Sequence, residues 1–128
     1  MTPDTSFWHA MEELIITQSL IIDRPRGTSH PRYSDMIYPL DYGYLEHTIS
    51  GDGGGIDVWL GSLNQAMNKD GGRMLTGILC TFDTLKRDAE IKLLIACSTE
   101  DVEIVRDFHK TMYTLYIPNP TVDNDLSN

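Results

Sequence analysis

The 128-residue sequence predicts a mainly β domain of the α+β class, a small barrel with a helix near each end. Three observations carry that expectation. Short β-branched or alternating runs recur between glycine-rich breaks, Ile56 to Leu60 most cleanly. Two longer apolar runs, Arg73 to Phe82 and Ala89 to Cys97, are joined by a short charged connection in the manner of a hairpin. Helical spacing is confined to the flanks, with Phe7, Met11 and Leu14 at one end and Val102, Val105, Phe108 and Met112 at the other. Closing the strands into a barrel removes exposed sheet edges.

Taken in order, residues Thr5 to Glu13 suit a short N-terminal helix, and the β-branched stretch from Leu14 to Asp23 favours a strand. Arg24-Pro25-Arg26-Gly27 breaks it, and Ser29 to Asp35 continues as loop or short strand. Tyr44 to Ile49 reads as a strand and Ser50 to Gly55 as a glycine-rich turn. In the next strand Ile56, Val58 and Leu60 point one way while Asp57 and Trp59 point the other. Gly61 to Gly72 is a polar loop. In the second long strand Ala89, Ile91, Leu93 and Ile95 share one face, and Glu90 and Lys92 share the other. That acid and ammonium suit a common ligand, or equally an exposed ion pair of little consequence. Ser98 or Thr99 caps the last helix, with Glu100 and Asp101 in its first turn. Pro118 and Pro120 end the single domain, residues 1–118, and 119–128 form a mobile acidic tail.

The net charge of −9 argues against nucleic acid and anionic membranes as partners. No apolar run is long enough to cross a bilayer, and Met1 to Ser6 does not read as a signal peptide, so the expected address is the cytosol. Cys80 and Cys97 lie in apolar runs without metal or redox spacing, as buried reduced thiols do. Against the acidic background, Arg24, Arg26 and Arg32 gather in one short segment, which points to an anion pocket or to a solvated loop.

The dense segment is Tyr38-Pro39-Leu40-Asp41-Tyr42-Gly43-Tyr44, followed by Asp52-Gly53-Gly54-Gly55-Ile56-Asp57-Val58. Two carboxylates brought together at such a turn repel unless a cation or proton lies between them. Mg²⁺, which takes oxygen ligands and substrate phosphate, fits that role. Glu90 offers a third carboxylate. The segment resembles the soluble inorganic pyrophosphatases, whose signature reads Y-P-x-N-Y-G-Y, then T (here Thr48), then D-G-D-P-x-D-V. The resemblance implies a five-stranded, OB-like barrel with flanking helices, and a metal site on Asp52, Asp57 and Glu90, with Asp52 and Asp57 central to catalysis. It implies phosphate contacts from Arg32, Tyr42, Lys92 and Lys110, with Asp23 supporting the metal site. The family's hairpin between Arg32 and Tyr38 is cut out with its arginine, and Arg24 or Arg26 is expected to take that place, with Asp41 as a further supporting acid. His109-Lys110 stands where the family has Y-K.

Departures from the pattern shape the functional expectation. The aspartate that serves the attacking water in the family is Gly54 here, and the next proline is Gly55. A glycine offers no side-chain acceptor, so the usual general base is missing. Asp41, Asp23 or water activated by the metal alone would have to replace it. The expected activity is Mg²⁺-dependent hydrolysis of inorganic pyrophosphate at a reduced rate, with Mn²⁺ as an alternative ion. Hydrolysis of another small phosphate compound and non-catalytic phosphometabolite binding are the alternatives. The family's frequent homo-oligomers leave assembly open.

Overall fold

The computed structural model describes residues 5–64 and 73–122. Parts of three expected features therefore lie outside the described residues: the start of the chain, the far half of the Gly61 to Gly72 loop and the end of the acidic tail. Helix α1 spans Thr5–Thr17 and buries Trp8 and Ile15, with Met11 and Leu14 packed beside them. The helix thus overruns the strand expected from Leu14. Ile15 falls two turns after Trp8 on the buried stripe, and that packing outweighs the β preference of Ile15, Ile16 and Thr17. The Thr17 hydroxyl donates to the Glu13 carbonyl at 3.0 Å and closes the last turn.

Six strands follow: β1 Leu20–Arg24, β2 Asp41–Leu45, β3 Ile56–Leu60, β4 Leu75–Asp83, β5 Asp88–Ile95 and, after helix α2 at Thr99–Phe108, β6 Tyr113–Pro118. The strand expected over Tyr44 to Ile49 lies earlier. Past Leu45 the chain turns at His47 (φ 60°), and the Thr48 hydroxyl binds both the Leu45 carbonyl and the Ile56 amide, closing the link to β3. Gly43 admits no side chain, because a Cβ there would stand 1.8 Å from the Ile21 carbonyl oxygen of β1.

The strands form one mixed sheet in the order β1-β2-β3-β5-β4-β6. All neighbours are antiparallel except β3 and β5, which run parallel through Val58↔Leu93, Trp59↔Leu94 and Leu60↔Ile95. The expected five-stranded closed barrel is corrected here. The sheet has a sixth strand, and among the described residues its edges, β1 and β6, do not pair with each other. The stretch before Pro118, for which no strand was expected, pairs along β4 from Gly77↔Pro118 to Phe82↔Tyr113.

Each face of the sheet carries a core. On one, Leu45, Val58, Leu75, Ile78, Leu93 and Ile95 meet α1; on the other, Trp59, Leu79, Leu94 and Cys97 meet Val102 and Val105 of α2 with Tyr38 and Leu40. Ser98 caps α2 through a capping box with Asp101. The buried Asp101 carboxylate also accepts from the Ser62 amide and hydroxyl, tying the end of β3 to α2. Both cysteines are free, Cys97 buried and Cys80 partly so. No helix among the described residues is long and apolar enough to cross a membrane.

Candidate functional site

The alternation that buries Val58 and Leu93 toward α1 turns Asp57, Glu90 and Lys92 to the α2 side of the sheet. The parallel β3–β5 register carries Asp57 next to Lys92. The Lys92 ammonium donates to Asp57 Oδ2 at 3.0 Å and to the Tyr42 hydroxyl at 2.9 Å, and Glu90 Oε2 lies 3.9 Å away. Lys92 is only 4% exposed, so its charge is held by these partners rather than by water. Tyr42 stands opposite Trp59 across β2 and β3. Burial, reinforced by the Asp57 charge, raises the Tyr42 pKa and keeps the phenol protonated.

Asp52 approaches from the turn between β2 and β3. Its Oδ1 accepts from the Ser50 hydroxyl and, at 2.9 Å, from the Gly54 amide. These two bonds, the Ser50 one first, lower the Asp52 pKa. Glu90 responds the other way. Burial raises its pKa against the pull of Lys92, and the charges of Asp57 and Asp52 add to the rise. Two carboxyls so placed cannot both ionise freely.

Next to the acids lies a basic margin. A bulge in β1 shifts the register between Ile22↔Gly43 and Arg24↔Tyr42, leaving Asp23 unpaired and setting Arg24 against Tyr38. Tyr38 stacks on Tyr42, with ring centres 5.5 Å apart, and touches Trp59, Phe108 and His30. The His30 pKa is lowered by burial first and then by Arg24, Arg32 and Lys86, which places these cations around it. His109 lies beneath the aromatic layer and accepts from the Trp59 indole N–H at 3.3 Å. Burial, with Lys92 nearby, pushes its pKa down to about 3, so it is neutral at physiological pH.

The expected residues thus divide. Asp52, Asp57, Glu90, Lys92 and Tyr42 gather in one cluster; Arg24 reaches Tyr38 beside it, and Arg32 lies by His30, which stacks on Tyr38. Lys110 is exposed and makes no ion pair among the described residues. Asp41 is spent on a turn, where its Oδ1 accepts from the Arg26 amide at 2.8 Å. Asp23 is exposed at the bulge. Three further participants were not singled out by the sequence: Ser50, Tyr38 as the bridge to Arg24, and His30. Only Ser50 had a local signal, a hydroxyl two residues before an acid in a turn.

Among the described residues, no three of His, Cys, Asp and Glu stand close enough to hold a metal ion as a group. Lys92 occupies the point toward which Asp57 and Glu90 converge. Asp52 and Glu90 remain as adjacent oxygen donors, the kind a hard dication takes with water and phosphate completing its shell. Compared with known protein families, with curated proteins and with solved structures, the chain matches none.

Proposed function

We propose that the chain hydrolyses a phosphoanhydride with Mg²⁺, with inorganic pyrophosphate as the nominal substrate, in the manner of a shortened and divergent inorganic pyrophosphatase. One observation carries this reading. An acid pair, Asp52 and Glu90, lies at one end of a row formed by Lys92, Tyr42 and Tyr38, and Arg24 and Arg32 lie at the other. Such a row offers a dication and a phosphate each its own complement.

Asp52 and Glu90 would hold the ion, with Asp57 behind them on Lys92; the ion supplies charge neutralisation at phosphate oxygens and a more acidic water. Lys92 uses two of its three N–H donors on Asp57 and Tyr42, which leaves one for a phosphate oxygen. Arg24 and Arg32 orient the far phosphoryl group through forked N–H pairs. Burial, with the Asp57 charge beside it, keeps the Tyr42 hydroxyl protonated and able to donate. Gly54 leaves the attacking water without a side-chain base, and Asp41 is already engaged by Arg26. Slow turnover follows from that gap.

The test is a phosphate-release screen over pyrophosphate, nucleotides and sugar phosphates with Mg²⁺ and Mn²⁺. The expected result is Mg²⁺-dependent release from pyrophosphate that drops at least about tenfold in Asp52→Asn. Absence of release from every compound overturns hydrolysis. Gly54 also favours a second reading, a module that binds a phosphometabolite without cleaving it. Calorimetry with pyrophosphate, with and without Mg²⁺, separates the two, since tight binding without phosphate release supports the module.

A further inference from the structure

A groove of about 540 Å³ runs along the α1 side of the sheet, between that helix and the β4–β5 hairpin. Phe7 and Met11, one turn apart on α1, form one wall, and Cys80 and Ile91, paired across the hairpin, form another. Ile49 and Ile56, from the link into β3 and its first residue, close one end. Three of these side chains are open to solvent, Phe7 at 41%, Ile91 at 47% and Ile49 at 81%. Among the described residues the polar side chains on the walls are Ser50 and Glu90, and both belong to the acid cluster. Ser50 donates to Asp52, and Glu90 stands between Asp52 and Lys92. The sheet shows how an apolar groove on one side reaches acids on the other. β3 begins at Ile56 and β5 at Asp88, but their parallel ladder starts only at Val58↔Leu93. Ile56 and Glu90 flank the stretch ahead of that ladder, and both line the groove.

We infer that the groove holds the apolar tail of the substrate, a diphosphate monoester of an aliphatic alcohol whose phosphates lie at the acid cluster. The inference rests on the hydrolytic reading above and names the substrate class of that same site. Chemistry selects the occupant. A sugar or nucleoside brings hydroxyls and ring nitrogens against walls that leave most of them without a partner, and each such group costs free energy. A hydrocarbon chain needs no partner, and its burial takes Phe7, Ile49 and Ile91 out of water with it. Size agrees. The groove lies within the roughly 300–1,000 Å³ of small-molecule sites, whereas inorganic pyrophosphate needs none of it. Order agrees as well. From the groove the acid pair comes first, then Lys92 and Tyr42, then Arg24 at Tyr38. The ester phosphoryl group thus lies beside the ion held on Asp52 and Glu90, and the terminal one beside Lys92 and the arginines. Water attacks the terminal phosphorus and its bond to the bridging oxygen breaks. The products are the alkyl phosphate, inorganic phosphate and one proton.

The experiment compares methyl, butyl and octyl diphosphate with inorganic pyrophosphate on the full chain with Mg²⁺, by calorimetry and by phosphate release, below the micelle concentration of the octyl ester. The expected result is affinity that rises along the series, octyl over methyl by at least about 30-fold, with release of inorganic phosphate. Ala89→Trp fills the groove and Ile91→Asn makes a wall polar. Each is expected to cut the octyl-to-methyl ratio at least about fivefold, with circular dichroism checking the fold. Phosphate release from pyrophosphate without a rise in affinity along the series overturns this inference and leaves the hydrolytic reading standing. Affinity that rises along the series, with no phosphate released from any compound, overturns hydrolysis and keeps the tail in the groove. Folded variants that keep the full ratio overturn the inference, because the tail then lies elsewhere. Should one variant unfold, the ratio in the other decides.

Discussion

Lys92 is the residue on which the cluster turns, since it pairs with Asp57 and Tyr42 at once. Removing its ammonium leaves a partly buried carboxylate without a counter-charge. Lys92→Met is expected to cost about 2–3 kcal/mol in urea unfolding, and adding Asp57→Asn to restore at least half of that. Gly54 invites the opposite experiment. A Cβ there meets only the Asp52 Oδ1, at 3.3 Å, so Gly54→Asp is sterically admissible. If the missing acceptor limits turnover, this variant raises kcat for pyrophosphate roughly tenfold or more; an unchanged rate places the limit elsewhere. Gly55 is different, because a Cβ there would stand 2.7 Å from the Tyr44 ring and 3.1 Å from the Leu45 carbonyl oxygen. His109 sets a pH dependence. Its folded pKa of about 3 lies below the ordinary 6.5, so below pH 6.5 the unfolded chain takes up the proton first. Stability is complete above that pH and falls on acidification toward pH 3, by about 1.4 kcal/mol per unit. His109→Gln keeps an acceptor for Trp59 and is expected to flatten the slope of melting temperature against pH in that window. At this scale, strand alternation made Asp57, Glu90 and Lys92 legible in the sequence, because period two fixes the face a side chain takes. For Asp41 and Lys110 spacing along the chain gives no such guide, because turn and helix-end geometry decides where their side chains go.

At the scale of elements, the long hairpin β4–β5, strand β3 and helix α2 followed from pattern alone, whereas the α1–β1 boundary and β6 did not. Ile15-Ile16-Thr17 has the composition of a strand, and only the position of Ile15 under the sheet makes it helical. β6 is short, follows directly on a helix and ends at a proline, so its partner β4 supplies the evidence that sequence lacked. The close approach of β1 to β2 at Gly43 predicts that Gly43→Ala separates them, because no rotamer can relieve a backbone clash. The expected loss exceeds about 3 kcal/mol and is read as early amide exchange in Leu20–Arg24. Beyond β6, Asn119 is buried and donates to the Leu75 carbonyl at 2.8 Å and to Glu12 Oε1 of α1 at 3.1 Å. Asn119→Ala leaves that carbonyl without its donor and is expected to cost about 1–3 kcal/mol in urea unfolding.

The whole molecule consists of two antiparallel halves, β1-β2-β3 and β5-β4-β6, each linked by neighbouring strands or by the single helix α2. A parallel seam three residues long, from Val58↔Leu93 to Leu60↔Ile95, joins them. The mainly β class was readable from the spacing of apolar runs, but closure was not, since whether outer strands meet depends on twist and length rather than composition. Asp57 lies on one side of the seam, Glu90 and Lys92 on the other. The order of assembly follows from this layout. Hairpins with neighbouring partners form early, while a pairing between segments distant along the chain must wait for loop closure. The ion pair therefore forms only once the seam has paired, and a chain with both halves built but undocked has every site residue present and no site.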